Sequence, residues 1–438
     1  MVPEHMVLEI GDLNHRGEGV GRWHGMVVFV SGAVPGDRVR VTAVEGKKNY
    51  LRGRLEEILQ GSPRRVRPRC PFFGRCGGCH LQHLGYPWQL EYKTRLVYNV
   101  LRRLGGLPEC RVLPALGMER PWYYRNKAEF KVGIRDGRVV LGFFAAGTHV
   151  VARGHEEPLE CHLLDHDLMA LARACEEFLN RYPELHAVRE VTLRKAVTGE
   201  TMVVLEGAGP VGHPAAGRLV EALAERAGVT TVVARRGGKV EVLFGPGYIT
   251  ERLEDLVFRL SAPSFYQVNP AQVPVLYSRA REYARLTGTE RVLDAYCGVG
   301  TIALFLARKA REVVGVEKLA AAAADARQNA ILNGLQHVSF LAGAAEEVLP
   351  RLLRRGHRPD VVVLDPPRGG CHPVVLEALA RHAVPRVVYL SCHPGTLARD
   401  LGRLVARGYR LAEVQPVDMF PQTHHVECVA LLEFTGQG

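Results

Sequence analysis

Over residues 1–59, apolar and polar positions alternate in short runs broken by glycine and proline. The period of two predicts strands over residues 7–13, 27–30, 38–44 and 51–59. Turns are expected at Gly17-Glu-Gly-Val-Gly-Arg22 and at Pro35-Gly36-Asp37. Short strands at this spacing predict a small barrel of OB type, a shape often used to hold oligonucleotides. The breakers Gly61, Pro63 and Pro68 end that pattern, and a helical period follows over about residues 88–104. Residues 120–255 mix predicted strands (128–134, 191–195, 202–206, 240–244) with predicted helices (163–179, 215–227), which reads as a central α+β domain. From Glu290 onward, buried strands at 291–293, 313–316, 361–364 and 386–390 alternate with helices. That alternation predicts a doubly wound, Rossmann-like parallel sheet. The expected architecture is an α/β chain in three parts: 1–59, 60–260 and 261–438.

Composition narrows the class of partner. The chain has 438 residues, 47% of them hydrophobic, and a formal net charge of +11. An excess of cations on this scale points to a polyanion, nucleic acid above all. Eight Lys and Arg fall between Lys47 and Arg69 against only Glu56 and Glu57, a stripe suited to tracking phosphates. Ten cysteines in a chain of this length do not make a disulfide scaffold. Met1-Val-Pro-Glu-His-Met6 is not a basic segment followed by an apolar one, and no apolar run is long enough to span a bilayer. A cytoplasmic, monomeric protein with no membrane partner is expected.

Two sets of residues carry chemistry. The first is Cys70-Pro-Phe-Phe-Gly-Arg-Cys76-Gly-Gly-Cys79. Three thiols so close can converge on one metal centre, and soft thiolates without clustered carboxylates suit zinc or iron–sulfur. The second set lies at the carboxyl ends of the predicted parallel strands, where open α/β sheets bind ligands. The first strand runs into Asp294-Ala-Tyr296-Cys297-Gly298-Val-Gly300-Thr301, whose glycines let a ligand approach the backbone at a helix start. The full G-x-G-x-x-G pattern is absent, which favours a smaller adenosine cofactor over a dinucleotide. The second strand ends in Glu317, an acid placed to bind ribose hydroxyls. The third gives Asp365-Pro-Pro-Arg368 and the fourth Ser391-Cys392-His393-Pro394. Cys297 competes with Cys392 as the reactive thiol, but it sits inside the cofactor loop. A helix start and nearby cations are expected to lower the Cys392 pKa. A last strand over 426–434, running antiparallel, would start beside these carboxyl ends and bring Glu427 to face Cys392.

Together these segments resemble, along nearly the whole chain, the RNA 5-methyluridine (uracil-C5) methyltransferases that carry an iron–sulfur centre. Residues 1–59, with Gly17-Glu-Gly-Val-Gly-Arg22 and Val28-Phe-Val-Ser-Gly-Ala-Val-Pro-Gly-Asp37, are similar to a TRAM RNA-binding domain. Cys70, Cys76 and Cys79 match the family's cluster motif. Cys161, in Glu160-Cys-His-Leu163, matches its distant fourth ligand, which implies a [4Fe-4S] cluster. Phe265-Tyr-Gln267-Val-Asn269 and the glycine loop resemble segments that contact S-adenosylmethionine. The resemblance thus makes Gln267, Tyr296, Gly298, Gly300, Glu317 and Asp365 cofactor residues of a class I methyltransferase domain. Cys392 matches the family's nucleophile, and Glu427, closing Asp418-Met-Phe-Pro-Gln-Thr-His-His-Val-Glu427, its general base. Three positions depart from the pattern: His393 and Thr301 stand where asparagine is usual, and Ala344 where a polar cofactor contact is expected.

What the resemblance implies is methylation of uracil carbon 5, with Cys392 adding to carbon 6 and Glu427 releasing the product. The target base must be single-stranded or flipped out to reach the thiol. Ribosomal RNA of the large subunit is the first expected substrate and transfer RNA the second. A radical enzyme with a TRAM domain and a cluster would space its cysteines by three and two residues, whereas here the gaps are five and two. A cytosine-C5 methyltransferase would not need the Cys70 cluster. An RNA-binding or folding factor without catalysis would not need Cys392, Glu427, Asp365 and Gln267 intact.

Overall fold

The computed structural model describes residues 5–182, 185, 187–207 and 214–436. Its N-terminal part is a six-stranded sheet in the order Met6–Glu9, Arg38–Gly46, Tyr50–Gln60, Met26–Val30, Gly19–Trp23, Asp12–Leu13. Alternate residues of these strands, among them Leu8, Val28, Val30, Val39 and Val41, fill the interior. The sequence pattern reads Gly19–Trp23 as part of a turn; it is a strand. Gly17, at φ +76°, does make the turn. Gly19 serves another purpose. A Cβ there would stand 2.9 Å from the Ala33 carbonyl oxygen, so glycine permits a close approach of two backbones.

The central part is a second six-stranded sheet, ordered Lys239–Phe244, Thr231–Arg236, Thr201–Gly207, Val188–Lys195, Lys127–Arg135, Arg138–Gly142. Helices His166–Arg181 and Pro214–Ala227 pack on it through Leu168, Phe178, Leu219 and Leu223. Arg138–Gly142 and Thr231–Arg236 escape the sequence pattern because each buries four residues in a row, which erases the alternation. The hairpin Tyr248–Leu253 with Leu256–Ser261 follows. Its Ile249, Phe258 and Leu260 share one core with Val292, Phe305 and Val361, so packing runs unbroken across residue 260. Helix Tyr86–Leu104 also joins the C-terminal part, where Val97 and Leu101 lie with Leu397 and Leu401 of helix Pro394–Val405.

The C-terminal sheet has seven strands in the order Val338–Ala342, Glu312–Glu317, Arg291–Asp294, Val361–Leu364, Arg386–Ser391, Glu427–Phe434, Tyr409–Val417. Only Phe340 is buried in the edge strand Val338–Ala342, too little pattern to find it from sequence. Glu427–Phe434 runs antiparallel to both neighbours. Its register pairs Ser391 with Cys428. The next residues along, Cys392 and Glu427, therefore stand opposite each other just past the end of the ladder. Among the described residues no helix is long and apolar enough to cross a membrane.

Candidate active site

Parallel pairing brings the carboxyl ends of four strands to one edge of the sheet. Asp294 and Glu317 end two of them, and Asp365 and Cys392 follow the other two directly. Gly300, at φ +85°, caps helix Thr301–Ala307, and a Cβ there would meet the Phe340 ring at 2.9 Å; both facts require glycine. The Glu317 carboxylate accepts from the Gly298 N–H at 3.0 Å and the Leu319 N–H at 2.7 Å, which ties the loop to the neighbouring strand. Gln267 is 6% exposed. Asp294 accepts from the Tyr296 N–H at 3.3 Å, while its second oxygen is buried without a partner. Burial and the charge of Asp365 push the Asp294 carboxyl up to about 8. An unpaired buried carboxylate oxygen beside a glycine loop is what an adenosine-type ligand would satisfy.

The sequence points to Gln267, Tyr296, Gly298, Gly300, Glu317 and Asp365 for this edge and gives Asp294 no role of its own. It also passes over Tyr277, from helix Val273–Ala284. That tyrosine is buried, and its hydroxyl feels the charges of Asp365, Asp294 and Glu427. Tyr277 sits at ordinary helical spacing, so its signal in sequence is that of a core residue.

On the nucleophile side, helix Pro394–Val405 holds the loop that follows Asp365. Asp400 is fully buried and accepts from the Cys371 N–H at 2.8 Å and the Tyr389 hydroxyl at 2.7 Å. Arg399 donates to the Gly369 carbonyl at 2.8 Å, and the Thr396 hydroxyl to the Arg368 carbonyl at 3.1 Å. So anchored, Arg368 stands near the Cys392 side chain, and its charge favours the thiolate. His393, the departure from asparagine, caps the same helix: its Nδ1 accepts from the Thr396 N–H at 3.2 Å. Ala344 caps helix Ala345–Arg354 with no side-chain bond, and Thr301 is buried at its helix start.

Charge at this rim is crowded. Burial pushes Asp365 up to about 6. Burial and Asp365 push Glu427, only 4% exposed, up to about 8, while Arg368 opposes the rise. Cys392 differs from the sequence expectation. Its thiol is pushed up to about 11, first by burial and then by Glu427 and Asp365, and Arg368 offsets only part of this.

The segment before Glu427 is fixed from several sides. Asp418 accepts from Lys93 Nζ at 2.6 Å and from the Tyr86 hydroxyl at 3.0 Å, and neither side chain of the Lys93–Asp418 pair is exposed. The Gln422 carbonyl accepts from the His80 and Leu81 N–H groups, each at 3.0 Å. This backbone contact joins the segment before Glu427 to the chain directly after Cys79.

Cys70, Cys76, Cys79 and Cys161 line one cavity of about 210 Å³. Burial raises all four thiols, Cys70 to about 11, and the other three thiols raise Cys79 further. Among the described residues no group of three or more His, Cys, Asp or Glu is arranged to hold a metal ion. The four cysteines named from sequence are thus brought together around a space, without converging on a point.

Comparison with known proteins agrees with this geometry. A TRAM domain profile matches residues 3–55. An RNA methyltransferase of Halalkalibacterium halodurans, named as uncharacterized, is 43% identical over 97% of this chain and 96% of its own. One from Caldanaerobacter subterraneus is 42% identical over 99% and 98%. Among solved structures, the Pyrococcus abyssi tRNA (uracil-54, C5)-methyltransferase in complex with S-adenosyl-L-homocysteine superposes with a TM-score of 0.77. It is 27% identical, over 98% of this chain and 100% of that one. A profile for tRNA (uracil-5-)-methyltransferases spans residues 123–435, the whole rim from Gln267 to Glu427 included. With that rim, a TRAM domain ahead of it and relatives along its full length, the chain belongs to the tRNA (uracil-5-)-methyltransferase family of S-adenosylmethionine-dependent enzymes.

Proposed function

We propose that this enzyme methylates carbon 5 of a specific uridine in RNA through a covalent bond between Cys392 and carbon 6. The observation that carries the reading is the ladder register that sets Cys392 opposite Glu427. When bound, S-adenosylmethionine supplies an electrophilic methyl group on a sulfonium sulfur. Gln267, Tyr296, Gly298, Gly300, Glu317 and Asp365 would hold it, and the buried Gln267 and the unpaired Asp294 oxygen support that placement. Cys392 Sγ adds to carbon 6 as a thiolate, and the ring electrons move to carbon 5 and the 4-oxygen. Carbon 5 takes the methyl group. Glu427, poised near 8, then removes the carbon 5 proton, and the returning electron pair restores the double bond and expels the thiolate. Before the attack the Cys392 thiol, which lines an open cavity, gives its proton to solvent, so Glu427 stays free for the one on carbon 5. The Arg368 charge near the sulfur steadies the thiolate once formed.

Cys70, Cys76, Cys79 and Cys161 would hold a [4Fe-4S] cluster. Four thiols lining one cavity support a shared metal group there. The cluster's contribution is structural, since the chain after Cys79 braces Gln422 and methyl transfer needs no electron. Anaerobically purified protein should be brown with iron and sulfide near four each per chain; colourless protein with one zinc rejects the cluster. The RNA is cytoplasmic, large-subunit ribosomal RNA first and transfer RNA second. Labelled S-adenosylmethionine should pass its methyl group to RNA from a deletion strain as 5-methyluridine, and mapping the site decides between the two RNAs. Label in 5-methylcytosine, or none in RNA, contradicts the reading.

A further inference from the structure

A cavity of about 730 Å³ opens in front of Cys392, and five histidines line it: His15, His80, His393, His424 and His425. They come from the N-terminal sheet region, the cysteine segment and the catalytic part, so the cavity sits where all three meet. None of Gln267, Tyr296 or Glu317 lines it, which makes it the side of Cys392 away from the cofactor loop. Cavities of roughly 300–1,000 Å³ hold a drug-sized molecule, so there is room for more than the one ring that Cys392 attacks.

Three of the imidazoles form a contiguous group. The His80 and His424 ring centres are 4.2 Å apart at 64°, and those of His424 and His425 are 4.2 Å apart at 46°. The Nδ1 atoms of His80 and His424 are buried without a hydrogen-bond partner. Burial and then the adjacent His425, His80 and Lys93 hold His424 down to about 2, and burial and then Arg368 hold His425 to about 4, so both rings are neutral near pH 7. A neutral imidazole offers a flat π face, one donor and one acceptor. That is the equipment for a nucleobase rather than a phosphate, and unstacked RNA bases commonly stack on such rings. Arg16 and Arg368 line the same cavity and supply the cations that backbone phosphates require. Histidines that merely filled a core would not line an open cavity beside a nucleophile.

We infer that His80, His424 and His425 form a subsite for an unpaired nucleobase next to the target uridine, so that the enzyme reads sequence beside the base it modifies. The inference rests on the reading that RNA enters at Cys392. Its test uses binding, which stands apart from methyl transfer. The full chain is titrated, by fluorescence anisotropy at fixed salt, with a single-stranded oligoribonucleotide bearing one central uridine between purines. Matching probes carry an abasic residue on one side of the uridine or the other. One abasic substitution should weaken wild-type binding about tenfold, the scale of one stacked base. His424→Ala should weaken binding of the parent probe similarly, and both changes together should cost no more than either alone. His424→Phe, which restores a ring, should recover most of the affinity. Equal abasic losses in wild type and His424→Ala, or no abasic loss on either side, would overturn the subsite. Should His424→Ala fail to fold, 2-aminopurine beside the uridine reads the contact in wild-type protein: its fluorescence falls on binding if the base is stacked, and an unchanged signal overturns the inference. A failure of the methyltransferase reading would show instead as tight, flank-sensitive binding with no methylated product.

Discussion

The four thiols around Cys79 and the lone thiol of Cys392 are all half-buried, and their neighbours differ. Around Cys79, burial and the three companion cysteines raise the thiol. Around Cys392, burial is followed by the carboxylates Glu427 and Asp365, with Arg368 pulling the other way. Crowded thiols are relieved by sharing a cation, because metal binding releases their protons together. A lone thiol facing carboxylates keeps its proton until the sulfur attacks, because a thiolate there is repelled. The first arrangement suits permanent ligation and the second a proton that leaves and returns. A single segment connects them: it is clamped by Lys93 at Asp418, braced by His80 and Leu81 at Gln422, and ends at Glu427. The chain beside the cysteine cavity is thereby tied to the segment that ends at Glu427.

The contrast between the two groups can be broken most severely at Cys392. Cys392→Ala should cut methylation by about ten-thousandfold or more, yet leave RNA affinity and iron content unchanged; a fall in RNA affinity of similar size would mean the thiol binds rather than reacts. The linking segment comes next. Lys93→Met leaves Asp418 buried and uncompensated, and should lower stability by about 3–5 kcal/mol in chemical denaturation. An unchanged midpoint would show that the pair does not clamp the segment. Glu317→Ala removes an acceptor of two backbone N–H bonds at the cofactor loop. It should weaken S-adenosylmethionine binding by about 1–3 kcal/mol in calorimetry and leave the thiol chemistry intact. The mildest change is in pH. With Glu427 raised to about 8, the base form grows as pH rises through 8, so single-turnover product release should climb across that range and level above it. A flat profile from pH 6 to 9 would remove Glu427 from the proton step.

Much of the molecule is legible in its sequence, and what escapes has physical causes. Strands such as Val361–Leu364, buried throughout and punctuated by a polar residue at the carboxyl end, announce both the parallel sheet and its rim. Strand direction alone places Glu427, and the antiparallel register puts it there. Val338–Ala342 escapes because an edge strand with one buried residue leaves almost no pattern. Gly19–Trp23 misleads because glycine marks turns and close strand contacts alike. The Cys392 pKa moves against the sequence expectation because a helix start is visible in sequence, whereas the burial and the two facing carboxylates belong to the fold. The Lys93–Asp418 pair joins residues 325 positions apart, with no local signal to find it.

The central claim is that Cys392 bonds to the uracil ring and Glu427 ends that bond, and one gel tests it. Glu427→Gln enzyme, mixed with S-adenosylmethionine and the mapped RNA, should still form the covalent bond but fail to remove the carbon 5 proton. A slowly migrating RNA–protein adduct is therefore expected under denaturing conditions, and it should vanish in Glu427→Gln combined with Cys392→Ala. An adduct that persists without Cys392 would contradict the account and point to another thiol, Cys297 first.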